Sequence, residues 1–518
     1  MTDSGRRVRS FERAALALLG GSAVAASFLD FSLWPLAWIA FVPILLAMDR
    51  RPSFREAIVA GLLAGLATNV PAFSWLVHAI HLFGGFPLWL SWLFYLGLSL
   101  YSAGQFVLFA LAVRLTGLGL AAVLPALFWV MLEFLYPNLF PWRLANSQRN
   151  VPLLLQSGDL VGPFGLSLVM VWASAAIALA VSEGGRAARR ALSLVAFSAA
   201  ALVAYGAVRS PAIDVITTGS PLVRVGIVQG NLTIEEKHDV RFLEANIETY
   251  KALTESLHPT PDVVIWPESV ISEPLPRTLR ALSPAGREVL GLRRPLFAGA
   301  LTFEDDAGRP RLFNSVMLFD ADGSVLGFSD KQILMPFGEF MPFGSVLPWL
   351  KQISPQTGDF QAGREVVPLD VPGVGRFAPL NCYEDIRAPI ARLATLDGGA
   401  EILFAVANDG WFGDTMAPFQ HEALALWRAI ENRRFLVRVT NTGVTDVIDP
   451  TGRVALRLPE FQPASTVAEI RRLRILSPYT RIGDAFAWLV TAAALAALWI
   501  SAKQRDHSAR PSLRRPPS

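Results

Sequence analysis

The chain has 518 residues, 52% of them hydrophobic and only 17% charged, with a formal net charge of +3. A mean hydropathy of +0.40 is too high for an ordinary soluble protein and points to the membrane, while the small net charge leaves no nucleic-acid partner expected. One cysteine and six histidines, the histidines without ligand spacing, exclude an intrachain disulfide and a metal centre built from several thiolates, so no metal or cofactor is expected.

In chain order, Arg6, Arg7, Arg9 and Arg13 precede an apolar run over 14–29. The Ala-Val-Ala-Ala stretch before Ser27 mimics a leader cleavage site, but a second run over 31–48 follows almost at once and favours a span. Further runs cover 57–80, 86–113, 118–135, 164–181, 191–208 and, far downstream, 485–502. A bilayer needs about 20 apolar residues per helix, so eight transmembrane helices are predicted. The basic residues fall on one side: Arg6 to Arg13, Arg50, Arg51, Arg55, Arg114, Arg186, Arg189, Arg190, and the group Lys503, Arg505, Arg510, Arg514 and Arg515. That side is the cytoplasm, with both termini in it, and Arg143 and Arg149 are weak exceptions.

The predicted organisation is a transmembrane bundle of about seven helices over 1–209, an extracytoplasmic domain over 210–478, a last span over 479–503 and a basic tail over 504–518. The large domain alternates strand-like and amphipathic segments. Strands are predicted at 222–229, 262–266, 295–303, 314–319, 376–381, 402–406, 436–440 and 444–449, with helices at 235–257, 275–292 and 418–432. This is an α/β or α+β domain with its own core.

Three stretches in this domain carry chemistry. Val263-Val264-Ile265-Trp266-Pro267-Glu268 is an apolar strand ending on a carboxylate, which without other context is simply solvated. Phe328-Ser329-Asp330-Lys331 is read as a polar turn with a lysine, for which Asp330 offers a local ion partner. Pro379-Leu380-Asn381-Cys382-Tyr383-Glu384 reads as a strand ending in a sharp turn that lifts a thiol, although a lone Cys is more often a buried core residue. Together they offer a carboxylate base, an ammonium and a thiol, the set for acyl transfer through a thioester. A nearby lysine is expected to make the thiol more acidic.

The order Trp-Pro-Glu, Lys, Asn-Cys-Tyr-Glu resembles the nitrilase superfamily of carbon–nitrogen hydrolases. The segment from Lys331 to Glu339, the Cys-Tyr-Glu run and the flanking spans resemble the apolipoprotein N-acyltransferase family, over nearly the whole chain. The resemblance implies a multi-pass α-helical membrane bundle carrying an α-β-β-α sandwich in the periplasm of a bacterial inner membrane. It implies Glu268 as base, Lys331 as oxyanion partner and Cys382 as nucleophile, with Glu339, Tyr383 and Glu384 supporting them. The implied partners are a phospholipid acyl donor, an apolipoprotein diacylglyceryl-cysteine as acceptor, and membrane lipids; a membrane-tethered amidase or nitrilase is the alternative.

Asn381 and the Asn408-Asp409-Gly410-Trp411-Phe412 run are read as supporting structure. The loop over 337–350 is too apolar for water and is either a lipid-touching lid or packed on the core. Glu133, at a span end, snorkels, pairs with Arg143 or serves function. At His238 the resemblance is broken, because an aromatic is common there in the family.

Overall fold

A computed structural model describes residues 3–49, 52–119, 122–238, 240–306, 308–349, 352 and 357–509. Arg50, Arg51, Leu350, Arg510, Arg514 and Arg515, named above, lie outside the described residues, as does the side chain of His238.

Each of the eight apolar runs contains helix, but not eight full spans. Five helices are long and apolar enough to cross a membrane among the described residues: Arg9–Leu29, Leu88–Thr116, Phe164–Ser182, Gly185–Thr218 and Ala485–Arg505. Phe54–Ala72 and Leu76–Leu82 make a further span only as a pair bent by 61°. The run over 31–48 is broken where Leu33 leaves helical geometry beside Pro35. The run over 118–135 spends its start in a turn after Gly117, leaving only Leu124–Leu135 as helix. The helix Gly185–Thr218 also runs through the boundary expected at 209–210 and carries Pro211 inside it.

The bundle is packed through small residues. A side chain at Gly61 or Gly65 would lie 2.6 Å from the Cα of Val107 or Ala103, so the helices Phe54–Ala72 and Leu88–Thr116 touch backbone to backbone. One end of the bundle gathers arginines. Arg13 pairs with Glu56 at 2.8 Å, Arg114 Nε donates to the Pro52 carbonyl at 2.7 Å, and Arg505 donates to the Leu115 carbonyl at 2.5 Å.

The domain after the bundle has thirteen strands among the described residues: β1 (Leu222–Gln229), β2 (Val263–Ile265), β3 (Ile271–Pro276), β4 (Leu296–Asp306), β5 (Arg309–Phe319), β6 (Val325–Asp330), β7 (Leu369–Val371), β8 (Gly375–Asn381), β9 (Ile402–Ala407), β10 (Leu436–Thr440), β11 (Asp446–Ile448), β12 (Val454–Arg457) and β13 (Ala464–Arg471). They form two sheets, β13-β1-β2-β4-β5-β6 with β3 on β4, and β12-β11-β10-β9-β8-β7. The near-continuous apolar strands β1, β9 and β10 mark sheets covered on both faces. Between the sheets lie Val225, Ile265, Phe297, Phe377, Phe404 and Val437. Phe297 and Phe404 sit with ring centroids 4.6 Å apart, a contact worth about 1 kcal/mol beyond its buried area.

Helix Leu243–Glu255 covers the outer face of the first sheet. Helices Ala388–Leu396, Ala417–Ala425 and Trp427–Asn432 cover the second, and their apolar faces merge with the core of the membrane bundle. The junction is also polar. Gln420 donates to the carbonyls of Phe28 and Ala72 at 3.1 and 2.9 Å and accepts from Trp75 Nε1 at 2.9 Å. Phe28 and Ala72 lie at the opposite ends of their helices from Arg13 and Glu56, so the sandwich docks on the end of the bundle away from the arginine cluster.

Three local predictions differ from the structure, one of them because of proline. The helix expected over 275–292 is instead strand β3 followed by a short helix Pro284–Val289, because Pro274 and Pro276 deny a helix its hydrogen bonds. The helix expected over 235–257 is described instead as Ile234–His238, a 3-10 segment Val240–Phe242 and the helix Leu243–Glu255. Lys331 follows the end of strand β6 rather than a free polar turn.

Candidate active site

Glu268, Lys331 and Cys382 leave the C-terminal ends of β2, β6 and β8, so strands of both sheets aim them at one place. Lys331 is buried and touches two carboxylates, Glu339 at 2.8 Å and Glu268 at 3.2 Å. Asp330, its neighbour in sequence, pairs instead with Arg277 at 2.7 Å and accepts from Ser315. Cys382 caps β8 with a φ of 52°, a left-handed conformation rare for a residue with a side chain, and stays partly accessible between buried Asn381 and Tyr383.

Asn314, on β5, joins these groups. Its Nδ2 donates to Glu268 Oε1 at 2.9 Å and to Glu339 Oε1 at 2.8 Å, and its Oδ1 accepts from Asn381 Nδ2 at 2.9 Å. Its carbonyl also accepts from the Lys331 main-chain N–H at 2.8 Å. Glu384 does the same for the backbone: its carboxylate accepts from the N–H groups of Gln332, Ile333 and Asn381 at 2.6, 3.2 and 2.9 Å. The turn that carries the thiol is thereby tied to the loop that carries the lysine.

Tyr383 points the other way. Its hydroxyl donates to the Leu139 carbonyl, in the loop between two membrane helices, and accepts from Arg387. Glu339 also accepts from the Met335 N–H at 2.8 Å, which anchors the root of the apolar loop. Farther along that loop Phe343, Val346 and Trp349 are 75%, 75% and 54% exposed, so those side chains are not packed on the domain. Glu133 is buried inside the bundle, where its Oε1 accepts from Trp129 Nε1 and the Leu144 N–H, each at 2.7 Å, while its Oε2 has no hydrogen-bond partner among the described residues.

Burial pushes the Glu268 carboxyl up, but the charges of Lys331 and Lys237 and the Asn314 amide outweigh it, and Glu268 is held in its ionised form. Burial works against the Lys331 ammonium, yet Glu339 and Glu268 hold its pKa well above the ordinary value. Burial and the Glu268 charge raise the Cys382 thiol well above its usual range, with Lys331 pulling the other way. Lys331 does act to acidify the thiol, as expected, but it is engaged by two carboxylates, and burial and Glu268 outweigh it, so ionising the thiol requires a base to take its proton. Burial pushes Glu384 up to about 7 against its main-chain hydrogen bonds.

Three features escaped the sequence reading. Asn314 was legible only as the start of a strand. Lys237, buried, reaches the Glu268 carbonyl at 2.5 Å from a short helix capped by Thr233 and Glu236. Beneath the thiol turn, His421 lies 2.7 Å from Asp385 and 2.9 Å from Asp409 through its two ring nitrogens, with Arg438 3.4 Å from Asp385. Only Asp409 had a sequence signal, the Asn-Asp-Gly-Trp-Phe run, whose Phe412 stacks edge-on against Trp75 of the bundle. Among the described residues no group of three or more His, Cys, Asp or Glu side chains is placed to hold a metal ion.

Two family models match in tandem: the apolipoprotein N-acyltransferase N-terminal domain over residues 20–176 and carbon-nitrogen hydrolase over residues 224–476. The apolipoprotein N-acyltransferase of Geobacter metallireducens is 33% identical over 516 residues, 95% of this chain and 96% of its own length. That of Azotobacter vinelandii is 31% identical over 512 residues, 96% of each chain. Among solved structures, Saccharomyces cerevisiae Nit3, a nitrilase-superfamily member, is 18% identical with a TM-score of 0.36, covering 48% of this chain and 90% of its own. The chain belongs to the apolipoprotein N-acyltransferase family.

Proposed function

We propose that this protein moves an acyl chain from a phospholipid to the α-amine of the N-terminal diacylglyceryl-cysteine of apolipoproteins, through a thioester on Cys382. Family membership makes the chain an acyltransferase of lipoprotein maturation. The observation that carries the detailed reading is the convergence of Glu268, Glu339 and, through Asn381, the Cys382 turn on the single amide of Asn314, with the Lys331 ammonium bound to the same two carboxylates.

In the first half-reaction Glu268 takes the thiol proton and the thiolate attacks the ester carbonyl of the donor. The carbonyl oxygen becomes an oxyanion facing the Lys331 ammonium and the Tyr383 main-chain N–H. The intermediate collapses by breaking its C–O bond, and Glu268 returns the proton to the departing lysophospholipid hydroxyl. In the second half the acceptor amine attacks the thioester, Glu268 takes the amine proton, an amide forms, and the thiolate leaves and is reprotonated. No redox partner or metal enters this balance.

The catalytic domain is read as lying in the periplasm, on the bundle end opposite the arginine cluster, following the rule that basic residues remain cytoplasmic. Exposed Phe343, Val346 and Trp349 would then dip into lipid beside the site, and the loop would keep water from the thioester.

The experiment is intact-protein mass spectrometry after incubation with phospholipid, comparing wild type with Cys382→Ala. The expected result is a hydroxylamine-labile gain of one acyl chain in wild type alone. A folded wild-type protein that gains no adduct overturns phospholipid as donor and puts a membrane-tethered amidase first.

A further inference from the structure

The proposed acyl-transfer chemistry uses one lysine, yet the site holds two. Lys237 is 4% exposed, and its ammonium lies 2.5 Å from the main-chain carbonyl of Glu268. Its own carbonyl accepts from Ser272 Oγ at 3.4 Å, so the helix Ile234–His238 is bound to the loop after Glu268 from both sides. That loop is under constraint: Ser269 has a φ of 51°, and a side chain on Gly299 would lie 2.6 Å from the Glu268 Cα.

A charge count shows why a second cation matters. Lys331 contacts both Glu268 and Glu339. Once Glu268 has accepted the thiol proton, two anions remain in the buried site, the Cys382 thiolate and Glu339, against Lys331. Without another cation the reactive state carries an uncompensated negative charge, which burial disfavours strongly. The neighbouring titratable groups do not supply it. Asp409 and Asp385 face His421 and Arg438, and Glu384 faces three main-chain N–H groups. Lys237, which feels both Glu268 and Cys382, restores the balance.

We propose that Lys237 is a second cationic positioning residue of the acyl-transfer site: it holds Glu268 through that residue's carbonyl, and its charge balances the Cys382 thiolate and then the tetrahedral oxyanion. This rests on the acyl-transfer reading above. The environment makes the charge titratable near neutrality. Burial pulls the ammonium down to about 8, against the raising effect of Glu268 and Cys382. Lys331 and Cys382 titrate far above that value, and His421 near 10. Glu384 titrates near 7, on the acid side of the same window.

The test uses the full chain in detergent, with phosphatidylethanolamine as acyl probe and mass spectrometry of the acyl-enzyme. Lys237→Met removes the charge and keeps the stem; Lys237→Arg keeps the charge beyond the pH range of the assay. Lys237→Met is expected to slow acyl-enzyme formation by about ten- to a hundredfold, with little change in donor KM. In wild type the acylation rate is expected to fall as pH rises through about 8, and Lys237→Arg is expected to lose that fall. Iodoacetamide labelling of Cys382, which needs no lipid, is read in parallel and is expected to slow about tenfold in Lys237→Met.

Lys237→Met with the wild-type rate and labelling overturns the proposal. If that variant does not fold, a wild-type acylation rate that does not fall above pH 8, or a fall shared by Lys237→Arg, overturns it. Failure of wild type to form any acyl adduct strikes the acyl-transfer reading instead, and the labelling rates still decide the role of the charge.

Discussion

Asn381 Nδ2 donates to Asn314 Oδ1 at 2.9 Å across the sandwich, from β8 in one sheet to β5 in the other. This bond connects the half of the site that bears the thiol to the half that bears the carboxylates and the lysine. A shift of one sheet against the other would otherwise change the distance between base and nucleophile, to which acyl transfer is sensitive.

Asn314→Ala removes the donor to Glu268 and Glu339 and the acceptor for Asn381 together. Acyl-enzyme formation is expected to fall about a hundredfold while the chain stays folded, because each bond alone is worth about 1 kcal/mol to stability. Asn314→Asp is expected to be worse, since it sets a third carboxylate beside two. Single-turnover acylation by mass spectrometry, with a thermal melt as the folding control, checks both; an Ala variant within threefold of wild type would remove Asn314 from the site.

Glu268→Gln keeps the shape of the side chain and deletes the base. Acylation is expected to drop by about a thousandfold. Lys331 retains its 2.8 Å bond to Glu339, so folding should persist. The measurement is the same adduct assay from pH 6 to 9, where rescue by higher pH would assign the loss to proton transfer.

Gly299→Ala is a backbone test of the base. Its new methyl would meet the Pro267 carbonyl, the Ser269 nitrogen at 2.5 Å and the Glu268 Cα at 2.6 Å. These are main-chain atoms that cannot rotate away, so Glu268 must move. Loss of acylation by at least about tenfold is expected, with iodoacetamide labelling of Cys382 as the check that the thiol turn remains accessible.

His421 gives a pH prediction. Burial pulls its pKa down, but Asp385 and Asp409 raise it from 6.5 to about 10 in the folded protein. A raised folded pKa means that the native state holds a proton the unfolded chain releases, so the stabilisation is complete below about pH 6.5 and is lost as pH rises through about 10. Thermal melts in detergent should therefore show stability declining across that window. His421→Gln is expected to cost about 3 kcal/mol at pH 7, by leaving buried Asp385 and Asp409 with Arg438 alone to compensate them, and to flatten the decline. An unchanged slope in the variant would assign the pH dependence elsewhere.

The sequence by itself determined the parts whose signal is local. Apolar runs mark the membrane helices because a bilayer accepts little else, and Trp-Pro-Glu, the Lys331 segment and Asn-Cys-Tyr-Glu mark strand ends because apolar strands stop at charged residues there. Strands β1 and β10 were readable to the residue for the same reason. Tertiary structure alone decided what depends on partners distant in the chain. It decided that Lys331 pairs with Glu268 and Glu339 rather than Asp330, that the thiol is raised rather than lowered, and that Asn314 and Lys237 belong to the site. It also decided that two apolar runs are too short to span, since a glycine turn and a kink beside a proline take up their length. The physical reason is common to all of these. Hydrophobic periodicity is carried by neighbouring residues, whereas the charge state and hydrogen bonding of a buried polar group are set by whatever the fold packs against it.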